Sequence, residues 1–267
     1  MASITAGFYA IISLYPLLWM VLQSLKTDME FYKNQYSIPL EPRWINYLTA
    51  WQKANLSLYY KNSLIVTAVS IVIGVLACAL AAYAFSKLQF AGKKLLSVLL
   101  VIVLFLPSPM LTFPVYLICR DLGILNSYSG LIGPYVCGII PLTMLIMTSA
   151  FDGIPKELSE AAKIDGCREY SLWWKIMMPL VKSSLATVSI LAFLNIWNEY
   201  LWALVSVSDK KLFTLPIGIV DLGSKVFTYG YGPVFAGMVM TTLPVVIFYI
   251  SLQDQFVKAI SAGAVKG

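Results

Sequence analysis

The sequence predicts an all-α integral membrane protein with six transmembrane helices, and three observations support this fold class. Of the 267 residues, 59% are hydrophobic and only 12% are charged, about half the charged share of roughly 25% in soluble domains. The mean hydropathy is +0.79, and a soluble domain of this length could not bury so much apolar surface. The third observation is a series of six long apolar stretches.

Each apolar stretch is long enough to cross a bilayer as one helix. A helix rises about 1.5 Å per residue, so about 20 residues span the roughly 30 Å hydrocarbon core. We predict a single transmembrane domain over residues 1–267, with spans at about 4–25, 63–86, 95–119, 128–151, 183–208 and 231–256. The first stretch has no basic lead-in and no A-x-A site after it, so we predict a retained span rather than a signal peptide.

Prolines recur inside the predicted spans. They are Pro107, Pro109, Pro114, Pro134, Pro141 and Pro244. Each removes a backbone donor and kinks a helix, and in lipid the freed carbonyls need protein or water partners. Kinked helices around a cavity are common in transporters, and any single kink serves packing equally well.

The distribution of basic residues predicts the orientation of the chain. An even number of spans places both termini on one side of the membrane. Ten of the 19 lysines and arginines lie in the connections at 87–94 and 152–182 and in the C-terminal tail, where they are denser than in the opposite loops. Because cytoplasmic loops are enriched in basic residues, we predict that both termini are cytoplasmic.

The composition argues against a metal enzyme and against a nucleic-acid-binding protein. The chain contains no histidine, which is the commonest metal ligand and general base. Its cysteines lie far apart and form no CxxC pair; they are Cys78, Cys119, Cys137 and Cys167. The net charge of +6 fits contacts with lipid headgroups rather than nucleic acid. We therefore expect no catalytic residue and no metal on this chain.

The connection at 152–182 is a polar hairpin between two apolar stretches, and it predicts a short helix on the membrane face. Pro155 fits the first turn of a helix, where its missing N–H is not needed. Ala161 and Ala162 leave little side-chain bulk, so another protein surface can approach them closely. Gly166 can adopt the left-handed conformation that ends a helix. The alternative is an amphipathic helix resting on headgroups, for which alanines are poor anchors.

The hairpin resembles the coupling motif of ABC importer permeases in residue order and spacing. Glu160-Ala161-Ala162 is followed after three residues by Gly166, and after nine more by Ile176-Met177-Met178-Pro179. Met178 replaces the leucine of the motif, a change between apolar side chains of similar volume. The segments at 195–202 and 261–267 resemble the sugar-importing branch, akin to the smaller permease of the maltose system.

This resemblance implies that the chain forms half of the pathway of an ATP-driven importer. Its partners would be a second permease, two ATPase subunits that bind ATP and Mg²⁺, and an extracellular or periplasmic sugar-binding protein. The chain itself lacks a P-loop, since Gly92-Lys93-Lys94 has neither the upstream glycine nor the following Ser/Thr. The implied location is the cytoplasmic membrane of a bacterium or archaeon.

The resemblance also assigns roles within the hairpin and the outer loops. The coupling residues would be Glu160, Ala161, Ala162, Asp165 and Gly166, supported by Pro155, Leu158 and Pro179. The loops at 26–61 and 209–230 would lie on the outer side and meet the binding protein.

Glu199 is the one acidic residue deep within the first five predicted spans. An acid inside a membrane indicates a functional site. Together with Asn195 and Asn198 it is a candidate for a polar translocation path suited to sugar hydroxyls. The alternative is a structural hydrogen bond from Glu199 to a neighbouring helix.

Other functions are open to a membrane protein of this composition. An ABC permease for a non-sugar solute would carry the same hairpin. A secondary transporter would need intramembrane acids or discontinuous helices arranged as repeats, and one peripheral glutamate argues against it. A membrane enzyme would need a nucleophile–base pair or clustered ligands, which the sequence does not offer.

Overall fold

The computed structural model describes residues 2–264, with side chains described at Thr5 and over residues 7–251. All regular elements in that part of the chain are helical, and no strand occurs in it. This confirms the predicted all-α class. It is the expected outcome for long apolar segments, because a helix satisfies its backbone hydrogen bonds within one segment.

The α-helices follow one another along the described part of the chain. They are α1 (Ala2–Ser24), α2 (Asp28–Lys33), α3 (Ile45–Leu48), α4 (Leu56–Lys87), α5 (Lys93–Leu104), α6 (Ser108–Asp121), α7 (Tyr128–Asp152), α8 (Lys156–Ile164), α9 (Glu169–Ser171), α10 (Met178–Leu180), α11 (Lys182–Trp197), α12 (Leu201–Ser206), α13 (Leu215–Ser224), α14 (Val226–Tyr229) and α15 (Tyr231–Ala264). The same residues include π-helical segments at Thr49–Lys53 and Leu172–Met177 and a 3₁₀ turn at Lys210–Leu212.

Four helices among the described residues are long and apolar enough to cross a membrane. They are Gly7–Ser24 within α1, α4, α7 and Tyr231–Ser251 within α15. Two further candidates are bent pairs: α5 with α6, bent by 113°, and the segment Glu169–Leu180 with α11, bent by 79°. The total is six if each bent pair is one span. The six spans and their boundaries stay a prediction.

The apolar run at 95–119 is not one continuous helix. α5 ends at Leu104, and α6 begins after Pro107, whose φ of −60° and ψ of 125° are extended. A proline disfavours helical geometry in the residue before it and is well placed to open a new helix. Pro107 therefore breaks the run instead of kinking it.

The run at 183–208 also divides, into α11 and α12, with residues 198–200 between them. Of the other prolines in the predicted spans, most lie inside helices and one lies in a first turn. Pro114, Pro134, Pro141 and Pro244 lie inside helices, as does Pro16 of α1, whereas Pro109 lies in the first turn of α6. The sequence prediction did not include Pro16.

The described chain forms two compact units. The first runs to Leu64 and resumes over Asp209–Ile247, and the second comprises Ile65–Ser208 and the chain from Phe248 onward. In the first unit, buried polar side chains order the connection after α1. Lys26 donates to the carbonyl oxygen of Asn34 at 3.0 Å, and the Asn46 amide donates to that of Ser24 at 2.9 Å. The buried side chains of Lys26 and Asn46 thereby gain partners.

In the second unit, α7 packs against α11. Met147 of α7 and Val188 of α11 have buried side chains. α7 also lies close to α4, because a Cβ atom at Gly74 would stand 2.5 Å from Cδ1 of Ile139. This packing supports both the hairpin after α7 and the helix that follows the hairpin.

Candidate functional site

The hairpin contains the short helix that the sequence predicts. α8 begins directly after Pro155, which stands at the N-cap rather than in the first turn, with φ −53° and ψ 138°. Gly166 follows the helix with φ +80°. Its amide donates to the carbonyl oxygen of Lys163 (3.0 Å), and the amide of Cys167 donates to that of Ala162 (2.9 Å). This is a Schellman ending, in which a Cβ atom at position 166 would be strained.

The two alanines of the motif lie on different faces of α8. Ala162 is buried and Ala161 is exposed, because successive helical side chains are turned by about 100°. The expectation that both alanines form one contact face is therefore corrected: Ala162 packs within this chain. The exposed side chains at and around α8 include Glu160, Ala161, Asp165, Leu158 and Ile164, and 86% of Ile164 is exposed.

The end of α4 binds the hairpin on the N-terminal side of α8. The hydroxyl of Ser86 donates to Oδ1 of Asp152 at 2.6 Å. The Nζ of Lys87 donates to the carbonyl oxygen of Ile154 at 2.7 Å. Both contacts hold the turn from which α8 starts.

The end of α4 also binds the hairpin beyond Gly166. The hydroxyl of Tyr83 donates to Oε2 of Glu169 at 2.7 Å, and Nζ of Lys163 lies 2.5 Å from Oε1 of the same carboxylate. The sequence prediction did not include these contacts. A signal was present, since positions 83, 86 and 87 share one helical face at the end of an apolar run.

The stretch after Gly166 contains a π-helical segment, Leu172–Met177, which the sequence did not predict. Leu172, Trp173 and Met177 are buried there, whereas Trp174 is half exposed. Pro179 follows in α10, immediately before the bend into α11. The segment thus anchors the second half of the hairpin through apolar burial.

Glu199 forms a structural hydrogen bond to a neighbouring helix, α7. Its carboxylate accepts from the hydroxyl of Tyr135 on α7 (2.8 Å) and from the backbone amides of Trp202 (2.7 Å) and Ala203 (3.1 Å). The last two amides belong to the first turn of α12, where backbone N–H groups have no acceptor within the helix. Glu199 therefore caps α12 and ties it to α7.

Asn195 and Asn198 occupy different surroundings, although both are exposed. Asn195 lines a cleft of about 380 Å³ between α7 and α11, together with Thr143 and mostly apolar side chains. The side-chain amide of Asn198 donates to the carbonyl oxygen of Leu194 in its own helix, at 2.8 Å. The three predicted path residues are neighbours in sequence, but only Asn195 lines this cleft.

In the first unit, the loop at 209–230 carries a charge cluster. Asp221 Oδ2 lies 2.5 Å from Nζ of Lys225, and Oδ1 lies 3.3 Å from that of Lys210. Burial raises the pKa of Asp221, but the hydrogen bonds from Lys225 and Lys210 outweigh it and hold that pKa below its usual value. Asp221 is therefore a carboxylate at neutral pH. Among the described residues, no group of three or more His, Cys, Asp or Glu side chains is placed to hold a metal ion.

Residues 70–262 match the model of the family described as "Binding-protein-dependent transport system inner membrane component", which is well over half of the sequence. The chain belongs to this family. It is therefore a multi-pass permease of the inner membrane, and the hairpin with α8 lies within the matched region.

Two relatives match this permease over nearly their whole lengths. The probable ABC transporter permease protein YurM of Bacillus subtilis is 36% identical over 97% of this chain and 86% of its own length. The arabinooligosaccharides transport system permease protein AraQ of Halalkalibacterium halodurans is 34% identical over 98% of this chain and 94% of its own. The predicted resemblance to ABC importer permeases is confirmed.

A solved structure shares the fold. It is a bacterial ABC transporter involved in the import of the acidic polysaccharide alginate, matched with a TM-score of 0.84 and 25% identity over 95% of this chain and 94% of that one. The segment at 261–267, which supported the sugar branch, has no described side chains, and its last three residues lie outside the described residues.

Proposed function

We propose that this permease forms half of the translocation pathway of an ATP-driven importer for a sugar or oligosaccharide delivered by a binding protein. The observation that carries this proposal is the match to a family of binding-protein-dependent transport components over residues 70–262, with α8 and its glycine ending inside it. The arabinooligosaccharide system of one relative and the alginate system of the solved structure support a carbohydrate as cargo.

Two ATPase subunits and a second permease complete the importer in this proposal. ATP and Mg²⁺ bind to the ATPases, and this chain binds no cofactor and catalyses no reaction. The exposed face of α8, with Glu160, Ala161 and Asp165, seats in an ATPase. Gly166, Pro155, Leu158 and Pro179 fix its position, and Ala162 supports it from inside.

A helix suits this role better than scattered charges do. Shifting a two-state equilibrium from 1:99 to 99:1 takes about 5.5 kcal/mol of differential binding. One exposed ion pair contributes about 0–1 kcal/mol. α8 is closed by the Schellman ending at Gly166 and bound by α4 on both sides, so it transmits displacement as a rigid body.

The membrane arrangement in this proposal is the one predicted from the sequence. In this proposal, residues 1–267 form one permease domain with six spans, and the bent pairs α5–α6 and α9–α11 each count once. Both termini and the hairpin are cytoplasmic, and the loops at 26–61 and 209–230 face the binding protein. Asn195 lines the translocation path, with Asn198 beside it and Glu199 holding α12 in place.

The experiment is uptake in proteoliposomes containing the complete transporter and its binding protein. Uptake is expected to require ATP inside and to be blocked by orthovanadate, whereas a secondary transporter would not need ATP. Ala161→Asp and Gly166→Val are expected to uncouple ATP hydrolysis from uptake. Ser159→Ala, a change on the half-buried face of α8, introduces no charge and is expected to retain coupling. Normal coupled uptake by both Ala161→Asp and Gly166→Val would refute the coupling assignment.

Cargo is tested separately, by measuring which solutes the binding protein retains and delivers. Candidate oligosaccharides are compared with amino acids and peptides at equal concentration. Delivery of a non-sugar solute alone would replace the carbohydrate assignment with the second candidate, an ABC permease for another cargo, and would leave the coupling assignment intact.

A further inference from the structure

The contacts between α4 and the hairpin lie on both sides of α8. Lys87 binds the carbonyl oxygen of Ile154, two residues before α8 begins. Tyr83 binds Glu169, which lies beyond the glycine turn that ends α8. One helix therefore binds the hairpin at both ends of α8, and α8 cannot tilt without moving α4 or breaking one of these bonds.

Glu169 connects three elements through its two carboxylate oxygens. Oε2 accepts from Tyr83 on α4 and Oε1 pairs with Lys163 on α8, while Glu169 itself opens α9. About half of the Lys163 and Glu169 side chains is exposed, so solvent screens their attraction and the pair adds little to stability. Its geometric effect remains, because it holds the carboxylate in line with the Tyr83 hydroxyl.

Tyr83 supplies the rigid half of this connection. Only 4% of its surface is exposed, and its ring makes an edge contact with Phe151 of α7, with ring centroids 5.8 Å apart. Phe151 is fully buried. A buried hydroxyl needs its partner, so Tyr83 has one favourable position, and that position binds Glu169.

We propose that the Tyr83–Glu169–Lys163 cluster is a mechanical joint that makes α4 follow the movement of α8. The inference rests on the proposed function, since it assumes that α8 receives the movement of an ATPase. Glu169 and Tyr83 are positioning residues in this scheme, because they touch neither ATP nor cargo. Through them, displacement of a helix on the membrane face passes into a membrane-spanning helix rather than ending in the hairpin.

The test measures the coupling ratio, the amount of cargo taken up per ATP hydrolysed, in proteoliposomes of the complete transporter. Glu169→Ala and Tyr83→Phe are expected to lower this ratio at least threefold while the stimulated ATPase rate stays within twofold of wild type. Glu169→Gln keeps an oxygen that accepts from Tyr83 and is expected to retain most of the coupling. Combining Tyr83→Phe with Glu169→Ala is expected to lower the ratio no further than Glu169→Ala alone.

Asp121→Asn is the matched control, because it removes an exposed ion pair, that with Arg120, at the end of another helix. Its coupling ratio is expected to equal that of wild type. If Tyr83→Phe, which removes a single oxygen atom, has the wild-type ratio, the joint is refuted. A parallel fall of uptake and ATP hydrolysis in Tyr83→Phe also refutes it. Absence of ATP-dependent uptake in the wild-type complex refutes the proposed function instead.

Discussion

Gly218 lies where two segments of the first unit approach each other closely. A Cβ atom there would stand 2.1 Å from Cδ2 of Tyr59, and Tyr59 is buried, with 2% of its surface exposed. Nothing lies within 4 Å of the corresponding atom at Gly223 in the same helix, α13. An added side chain would therefore collide with Tyr59 at position 218 but not with any neighbour at position 223, so substitution distinguishes the two glycines.

We expect Gly218→Ala to destabilise the transporter by about 1–3 kcal/mol, because the tyrosine ring has to move within a packed core. Gly223→Ala is expected to be neutral or to stabilise by up to about 1 kcal/mol, since alanine favours helix where space permits. The measurement is the thermal unfolding midpoint of the purified complex in detergent. Equal midpoints for the two variants would contradict the close approach at Gly218.

At the scale of single residues, the sequence predicts features that depend on the residue's own backbone preference, but not those that depend on contacts with distant residues. The start at Pro155 and the ending at Gly166 were predictable, because each follows from the backbone preference of one residue. The burial of Ala162 was not, since it depends on what α8 packs against. Tyr59 and Gly218 are far apart in sequence, and no local pattern connects them.

Among the elements, α12 depends on one side chain outside it. Glu199 accepts from two backbone amides of its first turn and from Tyr135. Removal of this acceptor leaves the amides and the buried hydroxyl without partners, which is more costly than losing an average hydrogen bond.

Glu199→Ala is expected to lower the stability of the complex by about 1–3 kcal/mol. Asn198→Ala is the control and is expected to change it by at most about 0.5 kcal/mol, because Asn198 binds only within its own helix. Tyr135→Phe in the Glu199→Ala background should cost less than in wild type, as in any coupled pair. Additive losses in that double-mutant cycle, measured by thermal unfolding, would argue against the Tyr135–Glu199 bond.

At the scale of elements, the positions of the long helices were predictable, but their interruptions and the π-helical segments were not. Apolar runs specify where a helix forms, because hydrocarbon leaves no alternative for the backbone. They do not specify where the helix is interrupted. The sequence predicts a kink at Pro107, whereas the structure has a break there. No motif in the sequence indicates the π-helical segment at Leu172–Met177.

For the whole molecule, the predicted orientation can be tested with cysteine labelling. Cys167 lies in the hairpin and Met29 in the loop at 26–61, where 84% of Met29 is exposed. With Cys167 as the sole cysteine, a membrane-impermeant maleimide is expected to label inside-out vesicles and not right-side-out ones. A variant lacking all native cysteines and carrying Met29→Cys is expected to show the reverse. Labelling of both sites from the same side would overturn the three spans predicted between them, because an odd number of crossings places the two sites on opposite sides.

The family was predictable from sequence because its motif depends on residue order and spacing, which are visible without a structure. The joint between α4 and the hairpin was not predicted, since Tyr83 and Glu169 are each ordinary in their own segment. Their significance comes from a contact between residues that are distant in the chain.

The π-helical segment has a consequence for engineering this protein. A π turn holds one residue more than an α turn, so Leu172–Met177 contains a surplus residue within an otherwise helical path. Deleting exposed Lys175 from it would let an α-helix form and would leave everything beyond in nearly the same orientation relative to Glu169, because the wider turn accommodates the extra residue. Deleting a residue from a regular α-helical stretch would instead rotate everything beyond it by about 100°. A chimera that exchanges hairpins between permeases therefore has to match the residue count together with the presence or absence of the π turn.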